Sequence, residues 1–132
     1  MLRSETEVRV RYVETDKMGF VHHAHYLPWL ELARVQMMDE VGYPYREMEA
    51  DGVGLPLTGA NLRYLRPAYF DDRLRIETVI RERPSARMTV EYRICRGDEL
   101  LTEATTEHFF MDARGKPCRP NRRFQEILDR HF

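Results

Sequence analysis

The chain has 132 residues, with 21 basic and 22 acidic side chains and two cysteines, the size of one compact domain that buries roughly two-thirds of its unfolded surface unaided. A net charge of −1 leaves no surplus of cations to displace counterions, which argues against sequence-independent nucleic-acid binding, and no apolar run reaches the roughly 18 residues of a membrane helix. Cys95 and Cys118 form no Cys-x-x-Cys pair and the start lacks an apolar leader, so a soluble cytoplasmic protein without a disulfide framework is expected.

Glu7 to Glu14 alternates Val8, Val10 and Tyr12 with Arg9, Arg11 and Val13, the period of a half-buried strand. Thr15 to His23 fits neither the helical nor the strand period and reads as a loop. From Ala24 to Val41, Tyr26, Leu30, Ala33, Met37 and Val41 recur at helical spacing. Pro28 fits only the first turn of that helix, and Gly42 marks its C-terminus. Leu27, Trp29, Leu32, Val35 and Met38 interrupt its polar faces, so the helix is expected to be wrapped on several sides.

Four further strands are predicted, over Leu55 to Arg66, Arg73 to Arg83, Arg87 to Arg96 and Glu99 to Met111. Turn chemistry at Pro67, Asp71-Asp72, Pro84-Ser85 and Gly97-Asp98 separates them. In the middle pair Leu74, Ile76, Thr78 and Ile80 share one face and match Met88, Val90, Tyr92 and Ile94, while arginine and glutamate alternate on the other. Charge pairing on that face, together with base composition, accounts for much of a content of 19 Arg against two Lys. After Pro120, Phe124, Ile127, Leu128 and His131 predict a short helix over Asn121 to Phe132. The order strand, long helix, four sequential strands and short helix specifies a single α+β domain over residues 1–132, with an antiparallel sheet against one central helix.

The loop carries the densest chemistry. Arg9-Val10, then Thr15-Asp16-x-x-Gly19-x-Val21-x-His23-x-x-Tyr26, resembles the active-site segment of the 4-hydroxybenzoyl-CoA thioesterase-like acyl-CoA thioester hydrolases of the hotdog fold. The likeness continues through Glu31-x-x-Arg34, Gly52, Tyr64-x-x-Pro67-Ala68, Asp71-Asp72 and Gly115-Lys116-Pro117. It implies a long helix wrapped by a curved five-stranded antiparallel sheet, assembled as a homodimer or a dimer of dimers. It also implies hydrolysis of acyl-CoA to free acid and CoA, with CoA as part of the substrate and no separate cofactor. Phe20 stands where that family usually has Ile or Val, and His22 and His25 replace an aromatic residue and Asn or Ser.

On this resemblance Asp16 is expected to act as general base or nucleophile, and His23 to polarise the thioester oxygen through its backbone N–H or its ring. Asp16 is expected just ahead of a helix start, where free N–H groups favour a carboxylate and an oxyanion alike. Gly19, Val21, Tyr26, Arg63 and Arg66 are the expected substrate-binding residues, Gly19 because it lets the loop approach the ligand closely. Trp29, Tyr43, Leu57, Tyr64 and Phe70 are candidates to close the acyl pocket. His22, His23 and His25 with Asp16 or Glu31 also suggest a metal site, but adjacent histidines cannot both point inward from a regular helix, and no metal is expected. Glu31 and Arg34 read as a helix-surface or interface ion pair. Because a fold does not dictate a function, a non-catalytic acyl-CoA-binding module is the competing reading, and an enoyl-CoA hydratase a weaker one.

Overall fold

A computed structural model describes residues 1–132. The elements are β1 (Leu2–Arg9), α1 (Tyr26–Val41), α2 (Tyr45–Ala50), β2 (Leu57–Tyr64), β3 (Arg73–Ile80), β4 (Arg87–Arg96), β5 (Glu99–Met111), β6 (Pro117–Cys118) and α3 (Arg122–His131). The sheet runs β1-β3-β4-β5-β2, antiparallel throughout, with the two-residue β6 added to the end of β5. Register shifts at Leu57/Gly59 and Ile94/Cys95 bend it, as an extra residue in one strand of a pair must.

The predicted face pairing is present. Ile76 lies opposite Ile94 and Thr78 opposite Tyr92, and all eight residues of the two matched faces are buried. On the outer face Glu77 accepts Arg75 at 3.3 Å and Arg93 at 3.4 Å, and Arg81 meets Glu91 at 2.9 Å. Such exposed pairs are worth only about 0.2–1 kcal/mol each, so this face solubilises the sheet more than it stabilises it. The core lies on the other side, where Trp29, Leu30, Ala33, Met37 and Met38 of α1 meet the sheet and Phe124, Ile127 and Leu128 of α3 close one end.

Several boundaries differ from the sequence expectation. The first strand is β1, beginning at Leu2, and Tyr12–Glu14 is a 3₁₀ turn. Leu2, Ser4 and Val8 point inward because eight residues pair with β3, and the Ser4 hydroxyl donates to Glu40 at 2.8 Å. Tyr12 instead swings out and meets the Phe70 ring edge-on at 5.5 Å. The long helix begins at Tyr26, after a 3₁₀ turn over His23–His25, and ends at Gly42, whose φ of 90° is the left-handed cap conformation. Leu27 and Leu32 stay exposed, so one chain wraps α1 incompletely. His131 is exposed, unlike the rest of its predicted stripe. Glu31 and Arg34 form no ion pair: Arg34 turns inward and donates to the Tyr92 hydroxyl at 3.0 Å.

That contact opens a buried chain of hydrogen bonds. Tyr92 and Thr106 lie 2.8 Å apart, Thr106 and His108 Nε2 2.9 Å, and His108 Nδ1 and the Leu55 carbonyl 3.1 Å. The carbonyl can only accept, so Nδ1 carries the proton, and in the neutral ring Nε2 accepts from the Thr106 hydroxyl. Burial, then the Arg34 charge, holds its pKa below the usual histidine value. The unfolded chain therefore binds the proton first, near pH 6.5, and stability is complete above that pH and falls as the pH drops toward the depressed native value. Thermal unfolding across pH 5–8 is expected to show this loss, and H108Q to flatten it; an unchanged slope would acquit His108.

Candidate active site

The loop between β1 and α1 is built around backbone contacts. The Asp16 N–H donates to Phe20 O at 3.1 Å and the Gly19 N–H returns to Asp16 O at 3.0 Å, closing a tight turn. Gly19 has φ +87°, a conformation that L side chains rarely adopt, but a Cβ there would meet nothing within 4 Å. The turn itself thus calls for glycine at this position. The far arm is pinned where the Val21 N–H donates to Ala68 O at 2.9 Å and the His22 N–H to Glu14 O at 3.0 Å.

Asp16 is half-buried and its carboxylate accepts the Met18 N–H at 2.8 Å. This corrects the expected placement: Asp16 caps its own turn and sits seven residues before the 3₁₀ turn that leads into α1. His22 caps that turn, its Nδ1 accepting the Ala24 N–H at 3.1 Å. The His22 ring also stacks against the His23 ring, with centroids 4.1 Å apart. The His23 backbone N–H, first in the turn, donates to no group of the chain, the usual state of an N–H at a helix start.

Asp16, His22, His23 and Arg66 line a cleft of ≈ 620 Å³ together with Met18, Phe20, Val21, Tyr26, Tyr64, Leu65 and Pro67. Its surface is mainly apolar, with the four polar residues facing the same space. Tyr26 is buried, meets Tyr64 edge-on at 4.9 Å and has its phenol pKa raised by burial, so it stays neutral. Arg66 is tethered to Glu99 at 3.4 Å. The structure thus gathers Asp16, Val21, His23, Tyr26 and Arg66 around one cleft, with Gly19 in the turn behind it. Arg63 lies elsewhere, in a depression on the charged outer face beside Asn61 and Glu103.

Of the residues considered for closing the acyl pocket, Tyr64 lines the cleft. Trp29 is buried beneath Tyr26, Tyr43 packs against Phe124 at the opposite end, Phe70 meets Tyr12, and Leu57 is exposed on β2. Met18, Leu65 and Pro67 were not legible as lining. Their one signal was position: Met18 falls within the motif's unspecified pair, and Leu65 to Pro67 follow Tyr64 in a turn where the Leu65 and Arg66 N–H groups both donate to Leu101 O.

The arrangement places Asp16 and His23, a carboxylate residue and a residue whose backbone N–H is free, on the same apolar cleft. A family model described as the Thioesterase-like superfamily matches residues 10–128. YneP of Bacillus subtilis, provisionally named an acyl-CoA thioesterase, is 33% identical over 125 residues, covering 93% of this chain and 91% of that protein. YbgC of Escherichia coli, an acyl-CoA thioester hydrolase, is 33% identical over 98 residues, 74% of this chain and 73% of its own. Among solved structures, the DHNA-CoA thioesterase of Staphylococcus aureus superposes with a TM-score of 0.92 at 30% identity, over 99% of this chain and 91% of that one.

Proposed function

The chain belongs to the thioesterase-like superfamily and carries its hotdog fold, and from that premise we propose that it hydrolyses acyl-CoA thioesters to a free carboxylic acid and CoA. The observation that carries the reading is that Asp16 and His23, the latter with a free backbone N–H, line one cleft. Thioester hydrolysis needs a group that activates water or attacks the carbonyl, and a donor for the negative charge that builds on oxygen. In the general-base form, Asp16 takes a proton as water adds to the carbonyl carbon, the oxyanion is held by the His23 N–H, and collapse breaks the C–S bond. The CoA thiolate leaves and is protonated by Asp16 or solvent. In the nucleophilic form, the carboxylate itself adds, the C–S bond breaks to expel CoA thiolate and leave an acyl–Asp16 anhydride, and water then cleaves that anhydride to the free acid and the restored carboxylate.

Met18, Phe20, Val21, Tyr64 and Leu65 offer the acyl group an apolar wall. Arg66 at the rim, and Arg63 where a partner brings it near, are the cations we assign to CoA phosphates. The reaction as written draws on no cofactor beyond the CoA of the substrate. We place it in the cytoplasm, in keeping with two unpaired cysteines, and no helix is long and apolar enough to cross a membrane.

The working unit we propose is a homodimer or dimer of dimers. β2 is an edge strand with Leu57 and Tyr64 exposed, and α1 leaves Leu27 and Leu32 bare; both features call for a second copy. Light scattering is expected to give two or four chain masses, with A60K, which places a charge on the exposed β2 strand, shifting the protein toward monomer and lowering specific activity. A fully active monomer would contradict this.

The function is tested by thiol release from a panel of aliphatic and aromatic acyl-CoAs. Turnover is expected on at least one. Tight retention of intact acyl-CoA without turnover would favour the binding module, and release of a hydrated acyl-CoA from an enoyl-CoA would favour the hydratase.

A further inference from the structure

Glu14 is a buried carboxylate that the proposed chemistry does not use. It is 3% exposed and sits two residues before Asp16. Its Oε1 accepts the Arg11 backbone N–H at 2.7 Å, and its Oε2 accepts the Trp29 indole N–H at 2.9 Å and lies 3.4 Å from the Arg11 guanidinium. Its own carbonyl accepts the His22 N–H at 3.0 Å. Burial is the largest single influence on its pKa and pushes it up, yet the donors from Arg11 and Trp29 together outweigh burial and hold it below the usual carboxylate range. The side chain is therefore an anion in the core, a costly arrangement that holds only because each oxygen is hydrogen-bonded.

We infer that Glu14 is a positioning residue that sets the distance between the Asp16 carboxylate and the His23 N–H. One residue grips three parts of the site. Its side chain ties the Arg11 turn to Trp29 in the first turn of α1, its backbone carbonyl holds the arm that leads into His23, and the chain beyond it leads directly to Asp16. Trp29 in turn packs against Tyr26, which lines the cleft, with ring centroids 5.1 Å apart. If the clamp loosens, the base and the oxyanion donor move independently, and a misplacement of 1 Å costs on the order of 100-fold in rate. The catalytic consequence rests on the proposed hydrolase activity; the clamp itself does not.

The test uses E14Q, which keeps the size of the side chain but replaces one accepting oxygen with a donor, and W29F, which removes the indole donor from the other side. Trp29 is the chain's single tryptophan, so its indole N–H gives one resonance and its emission one band. In E14Q that resonance is expected to move upfield and the emission to shift, whether or not any thioester is hydrolysed. With an acyl-CoA that the wild type turns over, each variant is expected to lose about tenfold or more in kcat with KM within about twofold. The double variant is expected to be no worse than the poorer single one, because both break one clamp. An unmoved indole resonance in folded E14Q would overturn the clamp. Wild-type kcat in E14Q, or additive losses in the double variant, would overturn its role in positioning; should E14Q fail to fold, W29F alone must show the kcat loss at unchanged KM, and wild-type kcat there overturns the proposal. Absence of turnover by the wild type would instead overturn the hydrolase reading and leave the indole measurement to judge the clamp.

Discussion

Replacing Asp16 with asparagine is expected to lower kcat for acyl-CoA hydrolysis by about 10²–10⁴-fold while KM changes little. Asparagine keeps the side-chain oxygen that accepts the Met18 N–H at 2.8 Å, so the turn that presents residue 16 survives. What is lost is the ability to take a proton or to attack a carbonyl. Asp16→Ala removes the turn contact as well and is expected to be no more active and somewhat less stable, by about 1 kcal/mol for the hydrogen bond. Acid-quenched single-turnover mass spectrometry separates the two roles: an acyl adduct on Asp16 assigns it as nucleophile. Equal thiol release by the wild type, D16N and D16A would remove Asp16 from the chemistry.

The second large effect is expected at a backbone group. His23→Pro deletes the free backbone N–H that the proposed mechanism uses, and the local conformation tolerates proline. Residue 23 opens a 3₁₀ turn, where a proline φ is already suitable, and His22 at φ −70° and ψ 140° has the extended conformation required before proline. Loss of one oxyanion donor costs about 10²–10³-fold in kcat. His23→Ala keeps the N–H and is expected to stay within about tenfold of wild type. The pair of variants therefore separates backbone from ring: similar damage in both would transfer the role to the imidazole.

Much of this site was legible in the residues because it lies in one stretch of chain. Asp16, Gly19, Val21, His23 and Tyr26 fall within eleven positions, and a turn closed by its own backbone keeps such neighbours together. The strand pairs were legible for a similar reason: β4 and β5 begin and end as expected, because alternation and a Gly97-Asp98 turn are local signals. The start of β1 was hidden because Arg3-Ser4-Glu5-Thr6 looks polar, and only pairing with β3 turns Ser4 inward. α2 is six residues long, too short for helical periodicity to show, and two-residue β6 exists only through its contact with β5.

Long-range packing hid the rest. Nothing in the spacing of Glu14 and Trp29 announced a buried carboxylate–indole contact 15 positions apart. Arg34 read as one half of an ion pair on the helix, but its direction is set by Tyr92, 58 positions away. The site reason given for Asp16, a helix dipole, also proved wrong in detail: the helix start belongs to His22 and His23, and Asp16 is held by its own turn. The two residues of the proposed chemistry are therefore held by two different backbone devices beside one cleft.

The most direct test of that arrangement is a crystal structure of D16N holding an intact acyl-CoA. The thioester oxygen is expected about 2.7–3.1 Å from the His23 nitrogen, with the carbonyl carbon within about 3–3.5 Å of the side chain at position 16 or of a water bound to it. A thioester carbonyl bound away from both groups would contradict the account.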